Sequence, residues 1–133
     1  MPKKKSITRK RKTDLQVEIS FMEGINRRIP GWREALLVLR ADYCELGKLN
    51  ECRRADEQLT RIDPKDPHAW YNLACSQSLV GDFSGSLKSL IRAFNRGFDD
   101  TKRMFRDPHL ASLRKRKEFK AALKLWQKKT LRV

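Results

Sequence analysis

Apolar and small side chains recur with the period of an α-helix in two neighbouring segments between Pro67 and Asp100. In the first segment the shared face consists of Trp70, Leu73, Ala74 and Gln77. In the second segment it consists of Phe83, Ser86, Leu87, Leu90, Ala93 and Phe94. Gly81 lies between the segments, where glycine can end a helix in the left-handed conformation, and Asp82 can cap the next helix. The pattern predicts two helices that pack as a hairpin.

The same pattern occurs 34 residues earlier in the chain. The earlier positions are Pro30, Ala35, Leu36, Leu39, Leu46, Gly47 and Leu49, and their later counterparts are Pro64, Ala69, Trp70, Leu73, Val80, Gly81 and Phe83. Leu15 and Ile25 extend this spacing towards the N-terminus, because each has two apolar counterparts further along the chain. The sequence thus predicts an earlier hairpin, preceded by a helix that corresponds to half a repeat.

This period and these positions resemble the tetratricopeptide repeat. The signature positions of the later copy are Trp70, Leu73, Ala74, Gly81, Phe83, Ser86, Leu90 and Ala93. Those of the earlier copy are Leu36, Leu39, Tyr43, Gly47, Leu49, Cys52, Leu59 and Pro64. The C-terminal part resembles small bacterial tetratricopeptide proteins whose shortened third repeat closes the stack. The resemblance implies an all-α fold, a short right-handed superhelical solenoid of antiparallel helical hairpins with capping helices at both ends.

The predicted organisation is a repeat domain, residues 14–128, between two short tails. Pro108 interrupts the third copy after about two helical turns, so a short helix and a final helix are expected to follow it. The expected parts are a disordered basic tail at 1–13, an N-terminal capping helix at 14–29, a first repeat at 30–64, a second repeat at 65–98, a truncated repeat with a C-terminal cap at 99–128, and a tail at 129–133.

Two positions of the earlier copy depart from the repeat signature. Arg40 stands where a small residue is usual, and Asp56 stands where a large apolar residue is usual. Both lie on faces that normally meet inside one repeat, so they could form a partly buried ion pair. The alternative is a local shift that lets Arg40 reach water. The sequence leaves both interpretations open.

The last predicted helix has an apolar face and a basic face. Phe119, Leu123 and Trp126 share the apolar face, which we interpret as the core of the C-terminal cap rather than as an exposed partner site.

The net charge of +15 is concentrated at the two ends of the chain. Residues 1–13 and 102–133 are strongly basic, whereas residues 14–101 are nearly neutral. Such ends are most simply solvated, but they could also attract nucleic acid, a ribosome or an acidic protein. The predicted basic patch comprises Lys3, Lys4, Lys5, Arg9, Lys10, Arg11, Lys12, Arg114, Lys115, Arg116, Lys117, Lys120, Lys124 and Lys128.

Nothing in the sequence predicts export or insertion into a membrane. The basic start is not followed by an apolar stretch, and no apolar run is long enough to span a bilayer. Three cysteines, an odd number, occur on predicted helices. We therefore expect reduced thiols, a cytoplasmic location and no membrane contact.

Catalytic chemistry finds little support in the sequence. His68 and His109 each follow a proline, no glycine-rich phosphate loop occurs, and no nucleophile has a base beside it. His68, Cys75 and Cys44 could share one side of the helices, but their spacing matches no zinc motif. We expect no enzymatic activity, no cofactor and no bound metal.

The resemblance implies instead a binding function, with the first helix of each repeat lining a concave groove. Its wall would be apolar in the middle, acidic at one edge and basic at the other, which suits a short peptide. The groove residues carried over by position are Glu34, Leu37, Ala41, Cys44, Glu45, His68, Tyr71, Asn72, Cys75, Leu79, Lys102 and Arg106.

A clamp for the acidic C-terminus of chaperones is a sharper form of this function. Asn72, Lys102 and Arg106 match its last three positions, but Leu37 and Ala41 stand where the family has Lys and Asn. The mismatch argues against a chaperone clamp.

Two functions remain from the sequence. The first is an adaptor that binds a protein segment in the groove. The second is a nucleic-acid- or ribosome-associated protein that uses its basic ends. An apolar groove in so small a solenoid could also pair with a second copy, and the partner itself cannot be deduced from these residues.

Overall fold

The computed structural model describes residues 6 to 130, and every regular element in that range is helical. This confirms the prediction of an all-α protein. The helices are α1 (Arg9–Arg28), α2 (Arg33–Leu46), α3 (Leu49–Ile62), α4 (Pro67–Leu79), α5 (Phe83–Asn95), α6 (Thr101–Arg106), α7 (Ala111–Arg114) and α8 (Lys117–Thr130), with a 3-10 turn at Pro108–Leu110.

The helices form two compact units. The first unit, Met1–Ile62, contains α1 to α3, and the second unit, Asp63–Val133, contains α4 to α8. A search of the described residues finds no helix with the length and apolar character that a membrane span requires.

A glycine turn joins α2 to α3. Gly47 has a φ of 83°, a left-handed conformation that favours glycine. The Gly47 N–H donates to the Cys44 carbonyl at 3.1 Å, and the Lys48 N–H donates to the Tyr43 carbonyl at 2.8 Å. These bonds satisfy carbonyls that the end of α2 would leave without a partner. Because the link is so short, α3 folds back along α2.

The turn between α4 and α5 repeats this geometry. Gly81 has a φ of 84°. Its N–H donates to the Ser78 carbonyl at 3.1 Å, and the Asp82 N–H donates to the Gln77 carbonyl at 2.9 Å. Each of these four residues lies 34 positions after its counterpart in the first turn. The expectation that both glycines bend the chain between paired helices is confirmed.

Side-chain caps fix where several helices begin. Thr8, Asp66, Asp82, Asp100 and Asp107 each accept a hydrogen bond from a backbone N–H two or three residues later, at 2.9–3.1 Å. These oxygens satisfy amide groups that have no partner inside the first helical turn. The capping predicted for Asp82 is confirmed.

The start of α1 corrects the predicted N-terminal boundary. The helix begins at Arg9 rather than near Asp14, so the second part of the predicted disordered tail is helical. The Arg11 N–H donates to Thr8 Oγ1 at 3.1 Å, which caps the helix at this earlier position. A run of like charges suggests a solvated coil. The Thr8 cap and the ion pair between Arg11 and Glu45 on α2 favour a helix here instead. Residues 1–5 and 131–133 of the predicted tails lie outside the described residues.

The first unit has an apolar core in which α2 packs against both α1 and α3. Tyr43 also donates its hydroxyl to Glu23 on α1 at 2.7 Å. The buried members of this core include Leu15, Ile19, Leu39, Tyr43 and Cys52.

A charged pair lies inside the hairpin of α2 and α3. Arg40 Nε and Asp56 Oδ1 are 2.6 Å apart, and Nη2 donates to Oδ2 at 3.3 Å. The Asp56 side chain is fully buried, and that of Arg40 is 17% exposed. The structure thus decides between the two alternatives in favour of the ion pair. Burial lowers the pKa of Arg40, but the charge and hydrogen bond of Asp56 outweigh it, so the net pKa is raised.

The second unit has a larger apolar core, built from α4, α5 and the C-terminal segments. Phe119 is buried in it, and Leu123 packs against it partly buried. The Trp126 and Phe94 ring centroids are 4.3 Å apart. The expectation that this helix face belongs to the core is confirmed for Phe119, while Leu123 and Trp126 remain partly exposed. The other buried core residues are Tyr71, Ala74, Cys75, Leu90, Ala93, Phe98, Met104, Leu110 and Leu113.

The chain that leads into α4 is attached to the second unit. Trp70 Nε1 donates to the Pro64 carbonyl at 2.8 Å, and Arg96 Nε donates to the same carbonyl. The Arg92 and Arg96 guanidinium groups lie 4.9 and 5.1 Å from the Trp70 ring centroid. Trp70 is therefore partly buried between its own hairpin and the residues before α4.

The helix break that the sequence predicts at Pro108 is present. The helix α6 ends at Arg106, after which Asp107 caps the 3-10 turn that begins at Pro108. Because proline cannot continue a helix and disfavours helical geometry in the residue before it, the break falls at Asp107. This break brings Asp107 and His109 over α4.

Candidate functional site

The predicted groove residues of the first unit lie on α2 with mixed exposure. Glu34, Ala41 and Glu45 are exposed, whereas Leu37 and Cys44 are half-buried. That these side chains line a groove stays a prediction from the resemblance.

An ion pair with α1 occupies the acidic edge. Arg11 Nη2 is 2.7 Å from Glu45 Oε2, and Arg11 Nε donates to Oε1 at 3.1 Å. Both side chains are about half exposed, so solvent screens the attraction. The hydrogen bond from Arg11 lowers the pKa of Glu45. Arg11, which the sequence analysis assigned to the basic patch, thus pairs with a predicted groove residue.

A buried carboxyl group lies between α1 and α2. The Asp42 side chain is buried, and its Oδ2 atom has no hydrogen-bond partner among the described residues. Burial, followed by the neighbouring Glu18 carboxyl group, raises the pKa of Asp42 to about 7. Arg11 lowers this pKa and Glu45 raises it, both by smaller amounts. The sequence pattern contains no signal for this group, because Asp42 looks like an ordinary polar helix residue.

The predicted groove residues of the second unit divide into exposed and buried sets. His68, Lys102 and Arg106 are exposed, and Asn72 and Leu79 are half-buried. Two others, Tyr71 and Cys75, are buried, with 0% and 3% of their surface exposed. This corrects the expectation that these two face a partner. The interrupted third copy covers them, so they belong to the core.

Aromatic stacking and a hydrogen bond hold Tyr71 in place. Its ring stacks on Phe98 with centroids 4.3 Å apart and an interplanar angle of 8°. Arg103 lies above the ring, with Cζ 4.7 Å from the centroid. The hydroxyl donates to Asp107 Oδ2 at 2.8 Å. Burial raises the pKa of Tyr71 above its usual value, so the hydroxyl stays protonated as a donor.

Cys75, Asp107 and His109 form a cluster beside Tyr71. One candidate ligand atom from each residue lies within 4.8 Å of the others. Cys75 Sγ is 3.6 Å from Asp107 Oδ2, and His109 Nδ1 is 3.5 Å from Asp107 Oδ1. Burial, followed by the charge of Asp107, raises the pKa of the Cys75 thiol. Sulfur, carboxylate oxygen and imidazole nitrogen are all donors to zinc-like metals.

This cluster differs from the trio that the sequence suggested. Cys75 is common to both, but Asp107 and His109 replace His68 and Cys44. His68 instead contacts the Phe98 ring edge-on, at 5.9 Å between centroids. The Asp-Pro-His segment does not single out this cluster, because the same three residues occur at 66–68, where the imidazole contacts Phe98 instead.

An apolar cleft opens between α5 and α8. Its volume is about 210 Å³, and it lies within the second unit. Ile91 and Leu125 at its rim are 45% and 65% exposed. The cleft exists because the apolar face of α8 is only partly buried. The other residues that line the cleft include Leu87, Phe94, Leu123 and Trp126.

The described residues of the predicted basic patch differ in their surroundings. Arg114 donates to the carbonyls of Met104 and Asp107 at 2.9 and 2.6 Å, so it supports the core. The Arg116 guanidinium lies 4.7 Å from the Phe83 ring centroid. The exposed remainder consists of Arg9, Lys10, Lys12, Lys115, Lys117, Lys120 and Lys124. Lys3, Lys4 and Lys5 lie outside the described residues, as does the side chain of Lys128.

Comparisons with known proteins give one partial likeness. No family model matches the chain, and no solved structure matches it. The sequence is 30% identical over 120 residues to a protein from Arabidopsis thaliana whose name describes it as chloroplastic. The similar region is 88% of this chain and 34% of that protein, so the chain spans about a third of its relative.

Proposed function

We propose that this protein is a non-enzymatic adaptor of the tetratricopeptide type, which binds a peptide segment of a partner protein. The observation that carries the proposal is the repeated turn. The hydrogen bonds around Gly47 recur around Gly81 at the same offset of 34 residues, with nearly equal φ angles. A repeat that keeps its turn geometry as well as its apolar spacing is typical of repeat proteins.

Equal burial at equivalent positions also supports a repeat. Ala35 and Ala69 are both buried, as are Leu39 and Leu73. The equivalent small residues Cys52 on α3 and Ser86 on α5 are fully buried as well. The right-handed solenoid, its capping helices and its groove remain predictions from the resemblance.

The proposed peptide-binding surface in the second unit is polar and basic. Lys102 and Arg106 lie exposed on α6, and Asn72 lies half-buried on α4. Two exposed cations four residues apart on one helix suit a peptide that carries carboxylate groups. The half-buried Leu79 adds an apolar contact on α4.

Affinity capture from native lysate tests this surface when two charge-matched variants are compared. Lys102→Glu with Arg106→Glu should abolish capture of a partner that survives a high-salt wash. Lys120→Glu with Lys124→Glu changes the net charge equally on α8 and should leave capture intact. Equal loss in both variants, or no loss in the first, would contradict the proposed surface.

A second candidate function rests on the exposed lysines of α8. Lys117, Lys120 and Lys124 follow the spacing of one helix face, and all three are exposed. Such a row can contact phosphates of a nucleic acid or ribosome. Binding that disappears with rising salt and shows no sequence preference would indicate a general polycation effect. Binding that persists at physiological salt and is lost in the α8 variant would favour this function over the adaptor.

The compartment and the oligomeric state remain predictions. The relative's name assigns that protein to the chloroplast, which neither supports nor opposes the cytoplasmic location expected for this chain.

A further inference from the structure

We propose that Cys75, Asp107 and His109 bind a divalent transition-metal ion of the zinc class. This site lies beyond the adaptor function and does not depend on it. The three ligand atoms come from two separate segments, α4 and the turn after α6, and lie within 4.8 Å of one another. Folding therefore assembles the site from residues that are distant in sequence.

The distances in the cluster suit a tetrahedral ion. Zinc bonds of about 2.3 Å to sulfur and about 2.0–2.1 Å to nitrogen or oxygen place neighbouring ligands roughly 3.3–3.6 Å apart. The Cys75 Sγ to Asp107 Oδ2 distance is 3.6 Å, and the His109 Nδ1 to Asp107 Oδ1 distance is 3.5 Å. These two distances reach different oxygens of the Asp107 carboxylate, and the three candidate ligand atoms lie within 4.8 Å of one another. The side chains must therefore close by up to about 1 Å to surround one ion.

Hydrogen bonds hold the Asp107 ligand in position. The His109 N–H donates to Oδ1 at 3.0 Å, and Tyr71 donates its hydroxyl to Oδ2 at 2.8 Å. The Arg114 side chain fixes the Asp107 carbonyl at 2.6 Å. A carboxylate has about four acceptor positions. Two of them are available to a metal ion once Cys75 has lost the thiol proton that it donates to Oδ2. Partners of this kind orient ligands and strengthen metal binding.

The exposure of the ligands leaves one side of the site open. The Cys75 residue is 3% exposed and the Asp107 side chain 9%, whereas the His109 side chain is 43% exposed. An ion can enter beside the imidazole, and a water molecule can complete four-coordination there. Cys75 releases its thiol proton to solvent when the sulfur–metal bond forms.

The local charges balance a divalent cation. A Cys75 thiolate and the Asp107 carboxylate together neutralise an M²⁺ ion, and His109 binds as a neutral ligand. Arg103 opposes the ion, because its Nε lies 3.9 Å from Asp107 Oδ2. The Arg103 side chain is 50% exposed, so it can move into water and screening weakens its effect.

Titration of the full chain with Co²⁺ tests the site. We expect one equivalent to bind, with a thiolate-to-cobalt absorption band and the visible bands of a tetrahedral ion, and Zn²⁺ to displace it. Cys75→Ala and His109→Gln should each weaken binding at least about tenfold. The matched controls Cys44→Ala and His68→Gln should leave the bands unchanged.

Arg103→Ala should change the affinity for Co²⁺ in the opposite direction. Loss of the neighbouring cation should tighten Co²⁺ binding by roughly 1.5- to 5-fold, the size of one exposed charge pair. Absence of the bands in wild-type protein, or bands that persist in both Cys75→Ala and His109→Gln, would overturn the proposal. Circular dichroism monitors folding. If Cys75→Ala unfolds, the half-exposed His109 makes His109→Gln the deciding variant, and unchanged Co²⁺ binding there would overturn the site.

Discussion

The two helical hairpins use the same turn but have different interiors. At the centre of the α2–α3 hairpin, Arg40 pairs with the buried Asp56. The equivalent positions of the α4–α5 hairpin are Ala74 and Leu90, which are both buried and apolar. The glycine turn and the flanking apolar positions thus define the hairpin, and the central pair can be ionic or apolar if its members match.

The serine of the second hairpin shows how closely its helices approach. Ser86 donates its hydroxyl to the Ala74 carbonyl at 2.6 Å, which a larger residue at either position would prevent. In the first hairpin, Cys52 takes the place of Ser86, and its Sγ lies 3.7 Å from Asp56 Oδ2. Each hairpin therefore has its own set of mutually dependent residues.

The largest expected effect comes from breaking the charged pair. Arg40→Ala leaves a buried carboxylate without its partner and should lower the free energy of unfolding by about 3–5 kcal/mol. Denaturation with urea, followed by circular dichroism, measures the loss. Arg40→Ala with Asp56→Leu copies the second hairpin and should recover most of it, because well-packed apolar residues replace buried ion pairs at little cost. A double variant as unstable as Arg40→Ala would mean that the pair itself is required.

Truncation of the leucine that occupies the equivalent position in each hairpin should destabilise both hairpins by similar amounts. Leu39→Ala and Leu73→Ala each remove a buried side chain, with 2% and 5% exposed, and should each cost about 2–5 kcal/mol. Melting followed by circular dichroism gives the comparison. A cost below about 1 kcal/mol for either variant would contradict its place in the core.

Substitution of the turn glycines should cost less, and equally in both hairpins. Gly47→Ala and Gly81→Ala place a side chain at φ values of 83° and 84°, where an added Cβ meets no atom within 4 Å. The penalty is therefore conformational, about 1 kcal/mol in each case. Equal shifts in urea midpoint are expected, and a clearly larger loss at one glycine would show that the two turns differ.

The smallest expected effect concerns a buried acid that the second hairpin lacks. The pKa of Asp42 is raised to about 7, so the folded state holds this proton more tightly than the unfolded chain. Its stabilising contribution is complete below about pH 4 and is lost as the pH rises through about 7. Asp42→Asn should raise the free energy of unfolding by about 1 kcal/mol near pH 8 and have little effect near pH 5. An equal effect at both values would show that Asp42 does not titrate in this range.

The sequence predicted those features that depend on nearby residues. The glycine turns, the Asp82 cap and the break at Pro108 each follow from a few neighbouring positions, and all are present. The sequence predicted the Arg40–Asp56 ion pair as one of two alternatives, because both positions lie on helix faces that meet inside one repeat of this spacing.

Features that depend on contacts between distant segments could not be predicted. The exposure of Tyr71 and Cys75 is decided by the turn at Asp107, more than 30 residues later. The early start of α1 depends on Thr8 and on Arg11, which reaches Glu45 on another helix. Spacing alone assigns a residue to a helix face, but it does not say which other segment will cover that face.

The Pro64 carbonyl has a practical consequence for dissecting the chain. It accepts hydrogen bonds from Trp70 and Arg96, so residues that look like a plain linker are attached to the hairpin that follows. A fragment that started at α4 would leave both donors without this acceptor. Proteolytic or genetic separation should therefore cut ahead of Asp63, and Trp70 fluorescence would report whether that attachment survives.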